Sequence, residues 1–165
     1  MSIQVGDRLP EATFTTMTAE GPRPLTTADV FGGRKVVLFS VPGAFTPTCS
    51  KQHLPGYVKQ ADEIKAKGVA AIVCLAVNDV FVMDAWAKSQ GADGKVLMLA
   101  DGNADFTRKI GLELDASKFG MGTRSQRFSM IAEDGVVKTL NVEAPGKFEV
   151  SDADTLLRQA KEALP

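Results

Sequence analysis

The chain is poor in the residues that build metal centres and disulfide frameworks. It has two cysteines, Cys49 and Cys74, and a single histidine, His53, in 165 residues. Two cysteines cannot make a disulfide-stapled scaffold, and with one histidine they cannot complete a usual zinc site. No metal and no other cofactor is therefore expected. A charge of one sign is also lacking. Lysine plus arginine number 19 against 20 aspartate plus glutamate, and no basic block occurs, so there is no field to hold a polyanion and nucleic-acid binding is excluded. No run approaches the ~20 apolar residues of a membrane span. The start, Met1-Ser2-Ile3-Gln4-Val5-Gly6-Asp7, lacks the basic head and apolar centre of a secretory signal. The expected address is the cytoplasm, with an organelle open if a transit peptide has been removed.

What is present suits one domain over residues 1–165, because 44% hydrophobic residues can supply a single core at this length. Residues 15–27 are turn-rich and read as a loop or edge hairpin, and Thr26 or Thr27 starts a short helical turn ended by Gly32-Gly33. Residues 35–41, 69–77 and 96–100 are apolar runs of the kind that form parallel strands covered on both faces. Helices are predicted between and after them, one from Ser50 to Lys67, one over Val80–Ser89 behind an Asn78-Asp79 cap, and one reaching Ile110. Pro55 and Gly56 are expected to kink the first of these. Arg127–Ala132 and Val136–Val142 flank Glu133-Asp134-Gly135 as a hairpin. A last helix, with Ser151 and Asp154 as a capping box, is expected to run to about Ala163.

The chain is organised around Val41-Pro42-Gly43-Ala44-Phe45-Thr46-Pro47-Thr48-Cys49. Two prolines and a glycine end the preceding strand, and Thr46 or Thr48 is placed to cap the following helix. Cys49 then falls in or beside the first helical turn, where unpaired N–H groups and the helix dipole favour thiolate over thiol. Cys49 is a candidate nucleophile, and the competing reading is a small residue filling the core.

Pro42, Thr46 and Cys49 carry the spacing of a proline, a threonine four residues on and a cysteine three further. This resembles the peroxiredoxins, and the string PGAFTPTCS followed by HLPGY resembles their type II, atypical or fifth-class, branch. The resemblance runs from Val5-Gly6-Asp7-Arg8-Leu9-Pro10 through Arg124-Ser125-Gln126-Arg127-Phe128-Ser129-Met130 to Asn141-Val142-Glu143. It implies an α/β, thioredoxin-like fold with a central mixed sheet flanked by helices. It also implies a thiol peroxidase that reduces hydrogen peroxide and alkyl hydroperoxides through a sulfenic acid at Cys49. In that scheme Thr46 orients the attacked oxygen, Pro42 excludes water, and Arg127 lies beside the thiolate, with Arg124 as a supporting or interface residue. The implied partners are glutaredoxin with glutathione, or thioredoxin, as reductant, and a second copy in a homodimer. Gly43, Phe45 and residues 119–124 are the expected contributors to that interface. A peroxide-sensing redox relay and a chaperone-like module are the alternatives.

Two residues are set aside at this level. Cys74, in the middle of an apolar strand, is read as packing rather than as a resolving cysteine. His53 lies one turn beyond Cys49 and could face it, but a lone histidine is more often a packing or surface residue and is not assigned to the site.

Overall fold

A computed structural model describes residues 2–162. β1 (Thr13–Thr18) and β2 (Gly21–Thr26) form an antiparallel hairpin. The helical turn α1 (Thr27–Phe31) follows, closed by a reciprocal box in which Thr26 Oγ1 accepts from Asp29 N and the Asp29 carboxylate accepts from Thr26 N. Then come β3 (Lys35–Ser40), a π-helical turn at Cys49–His53, α2 (Leu54–Lys65), β4 (Ala71–Ala76), α3 (Val80–Ser89), β5 (Leu97–Ala100) and α4 (Asp105–Lys109). A small ribbon of β6 (Glu113–Asp115) and β7 (Thr123–Ser125) precedes the hairpin of β8 (Phe128–Glu133) and β9 (Val136–Val142), and α5 (Ala153–Glu162) closes the described chain. The Ala163 end expected for this helix lies outside the described residues.

Seven strands make one sheet in the order β2-β1-β5-β4-β3-β8-β9. The central β3, β4 and β5 are parallel, and β1 and β8 add to them antiparallel, so the sheet is mixed. Each central strand is apolar throughout because both of its faces are covered. Val37 and Phe39 join one core with Tyr57 of α2, Trp86 of α3 and Leu156 of α5. Val36 and Leu38 join the other with Phe31 of α1 and Phe106 of α4. Pro22 and Pro24 sit on β2, at the sheet edge, where a missing N–H costs no ladder bond. The β8–β9 turn uses Asp134 and Gly135 at φ +49° and +75°, the left-handed pair that matches strand twist. No described helix is long and apolar enough to cross a membrane.

Three expectations are corrected. The single helix from Ser50 is two pieces, a π-turn over Cys49–His53 and then α2, with Pro55 in the first turn of α2. Proline has no N–H to give to the carbonyl four residues back and its ring would collide with that carbonyl, so a regular α-helix cannot run through this point. The irregularity thus falls ahead of Pro55, with Leu54 N bonded to Cys49 O across five residues. Neither Thr46 nor Thr48 caps this start: Thr48 makes no side-chain cap bond, and the Thr46 hydroxyl donates to Gly43 O. At α5 the cap is Asp152, whose carboxylate accepts from Thr155 N at 3.2 Å, because the Ser151 hydroxyl is committed to Glu143.

Candidate active site

β3 delivers the chain to the carboxyl edge of the sheet, and Val41 N still bonds Leu75 O at 3.1 Å before the loop leaves it. The loop is then tied down residue by residue. Ala44 N donates to Asn78 Oδ1 at 2.9 Å, Thr46 Oγ1 to Gly43 O at 2.7 Å, and Ser50 N to Thr46 O at 3.0 Å. Phe45 holds φ +66°, a left-handed conformation that a non-glycine residue keeps only where its surroundings enforce it. Gly43 has no such φ, yet a Cβ there would lie 2.9 Å from Arg124 Nη1 and 3.2 Å from Thr46 Cγ2. A side chain at 43 would push away the arginine whose Nη1 reaches Pro42 O at 3.4 Å. Trp86 of α3 anchors the Cys49–His53 turn, its indole N–H donating to Ser50 Oγ at 2.9 Å.

Cys49 is fully buried, and its sulfur accepts from Arg127 Nη2 at 3.0 Å. Arg127 immediately precedes β8 and is half-buried, with its guanidinium carbon 5.8 Å from the centre of the Phe148 ring. Its other terminal nitrogen, Nη1, lies 2.8 Å from His53 Nδ1. His53 Nε2 lies 3.0 Å from Ser151 O, which also accepts from Tyr57 Oη at 2.8 Å. Burial first, and the adjacent Arg127 charge second, hold the His53 pKa down at about 3. Glu143 closes the network: its carboxylate accepts from Glu149 N, Val150 N, Ser151 N and Ser151 Oγ at 2.7–2.9 Å. Burial alone would raise this carboxyl, but the four donors together hold it below its ordinary value.

Of the residues selected from sequence, the structure therefore brings Cys49 and Arg127 into direct contact. Thr46 and Pro42 are on the same loop, but the Thr46 proton is on Gly43 O rather than on the thiol, and Pro42 presents its carbonyl to Arg124. Arg124, bonded also to Met121 O at 2.9 Å, braces the loop from the β6–β7 ribbon. His53, Glu143 and Asn78 were not selected. The Cys-x3-His spacing was the one signal for His53, and only the fold reveals that Arg127 stands opposite it. Cys74, facing the same side of the sheet as Phe39, is pushed well above the ordinary thiol range by burial and then by the neighbouring Cys49. Both cysteines are free, and among the described residues no group of three or more His, Cys, Asp or Glu is placed to hold a metal ion.

The arrangement at Cys49, a buried sulfur under a guanidinium at a strand's carboxyl end, is what a thiol nucleophile needs. Residues 4–157 match the Redoxin family model. A reduced Prx3 from Vibrio vulnificus, solved in complex with H2O2, superposes with a TM-score of 0.93 at 55% identity, over 96% of this chain and 99% of that one. The chain belongs to the peroxiredoxins. Among curated relatives of this thiol-dependent peroxidase family, the rice Peroxiredoxin-2E-2, chloroplastic, is 51% identical over 95% of this chain and 72% of its own length. A peroxiredoxin from Synechocystis, sll1621, is 47% identical over 95% of this chain and 91% of its own. These relatives place the chain in the type II branch and give the mixed sheet its description as thioredoxin-like.

Proposed function

We propose that this peroxiredoxin reduces hydrogen peroxide and alkyl hydroperoxides at Cys49 and is returned to the thiol by glutaredoxin with glutathione, or by thioredoxin. The observation that carries the reading is the 3.0 Å contact of Arg127 Nη2 with Cys49 Sγ. The thiolate attacks one peroxide oxygen. The S–O bond forms as the O–O bond breaks, sulfur is oxidised to the sulfenic acid, and the other oxygen leaves as hydroxide or alkoxide and takes a proton from water. Arg127 donates to the sulfur and stabilises charge on the departing oxygen. With its own proton on Gly43 O, the Thr46 hydroxyl offers lone pairs to the O–H of the attacked oxygen and orients it. The Pro42 ring excludes water, which strengthens these interactions.

An external thiol then condenses with the sulfenic acid, releasing water and leaving a mixed disulfide that a second thiol resolves. Cys74 is read as packing: it pairs with Phe39 and Met98 inside the sheet, and a disulfide to Cys49 would require unfolding of core strand and turn. Residues 1–165 are read as one domain in the cytoplasm, and the naming of the rice relative as chloroplastic keeps an organelle as the alternative. The exposed side chains of Phe45, at 55%, and Phe119, at 76%, support a homodimer formed through the face that bears the loop.

The test is peroxide turnover by wild type and Cys49→Ser with each reductant in turn. Loss of turnover in the variant with its fold retained is expected, and full turnover in it would overturn the reading. A stable mixed disulfide between Cys49 and a client protein, without turnover, would move the assignment to a redox relay.

A further inference from the structure

We propose that His53 is a positioning residue of the peroxide step: its bare Nδ1 holds the Arg127 guanidinium against Cys49, while its Nε2 proton is fixed on the Ser151 carbonyl. The inference rests on the reading of Cys49 as the attacking thiol and Arg127 as its partner.

A guanidinium has five N–H donors and no acceptor, so the 2.8 Å approach of Arg127 Nη1 to His53 Nδ1 requires a lone pair on that nitrogen. The proton of the neutral ring is then on Nε2, which donates to Ser151 O at 3.0 Å. That carbonyl cannot swing away, because Ser151 N and Oγ are both held by Glu143 and Tyr57 Oη donates to the same oxygen. The ring is also clasped by Phe39, Tyr57 and Phe148, with centroids at 5.0, 5.6 and 5.0 Å.

The choice of acceptor matters chemically. A carboxylate in the same place would bind Arg127 more strongly, but it would cancel the charge that the sulfur needs and would repel a thiolate. A neutral imidazole with one set tautomer orients the guanidinium and leaves its charge to the sulfur. The ring stays neutral at working pH because burial and Arg127 together keep it unprotonated. It therefore acts by geometry and not by moving protons.

A double-mutant cycle tests this, with single-turnover sulfenic acid formation as the readout. Arg127→Leu should slow the step roughly 100-fold, the scale for losing one preorganised donor. His53→Leu should slow it about 10-fold in the wild-type background and not at all in the Arg127→Leu background, since coupled residues are not additive. His53→Gln, whose amide carries both an acceptor and a donor, should recover part of the loss. A wild-type rate in His53→Leu, or the same loss in both backgrounds, overturns the proposal. A wild-type rate in Arg127→Leu would instead overturn the functional reading beneath it. Should His53→Leu fail to fold, nitrogen-15 NMR of this single histidine decides in the wild type. An unprotonated Nδ1 and protonated Nε2, unchanged over about pH 5 to 8, are expected; a proton on Nδ1, or titration in that range, is the contrary result.

Discussion

Cys49 and Cys74 lie in the same core, on the same side of the sheet, and both are completely withdrawn from solvent. Their surroundings differ in kind. Cys74 is held in the ladder of β4, between Phe39 of β3 and Met98 of β5, and burial keeps it a thiol. Cys49 sits where the ladder has ended, after a loop tied to Asn78 and on a turn tied to Trp86, with a guanidinium on its sulfur. Exposure does not distinguish the two cysteines of this molecule, whereas a guanidinium on the sulfur does.

The largest expected effect on that comparison is from Cys49→Ser, which should reduce peroxide turnover by more than about a thousandfold because a hydroxyl is a far weaker nucleophile at neutral pH. Turnover retained by that variant would mean that the other sulfur, or neither, does the chemistry. Next, Arg127→Leu should strip the donor from the Cys49 sulfur and slow the peroxide step roughly 100-fold, with slower iodoacetamide alkylation of Cys49 at neutral pH, and unchanged rates of both would assign the difference to the turn itself. Thr46→Val should slow the peroxide step about 10-fold while leaving alkylation little changed, as expected of a residue that orients the peroxide oxygen. If alkylation slows equally, Thr46 acts only by holding Gly43.

Cys74→Ser should leave turnover with glutaredoxin or thioredoxin at the wild-type level and lower stability by roughly 1–3 kcal/mol, the usual loss for an unsatisfied buried hydroxyl. Loss of turnover, with a Cys49–Cys74 bond found by mass spectrometry after one equivalent of peroxide, would erase the contrast. The smallest effect is on stability against pH. His53 has a folded-state pKa of about 3, below the 6.5 of the unfolded chain, so between these values the unfolded state binds more protons. Stability should therefore fall as pH drops below 6.5, at about 1 kcal/mol per unit. Urea titrations at pH 7 and at about pH 5.5 should show the slope, and His53→Gln should remove it.

The sheet was legible because its central strands are apolar on both faces, so residues 35–40, 71–76 and 97–100 stand out as runs, and because Thr26, Asp79 and the Asp134-Gly135 pair carry cap and turn chemistry locally. Cys49 was reached from its place at the start of a helix, but Arg127 only through motif likeness, because nothing local joins the two across 78 residues. What was not legible depends on residues meeting across the fold. Pro55 signalled a disturbed helix but not that the disturbance would widen the turn ahead of it. Ser151 looked like a cap because Glu143, which captures its hydroxyl, is eight residues upstream on the other side of a loop. The three-residue strands β6 and β7 leave too short a pattern for any period to register.

The bond from the Trp86 indole to Ser50 has an optical consequence. This is the sole tryptophan of the chain, fully buried, and its N–H points at the residue next to the reactive sulfur. Any rearrangement of the Cys49 turn that breaks the bond alters the polarity around the indole, and so its emission. The protein thus carries an intrinsic fluorophore at its reactive turn, and a single emission trace could time the turn's opening and closing through a catalytic cycle without an added label.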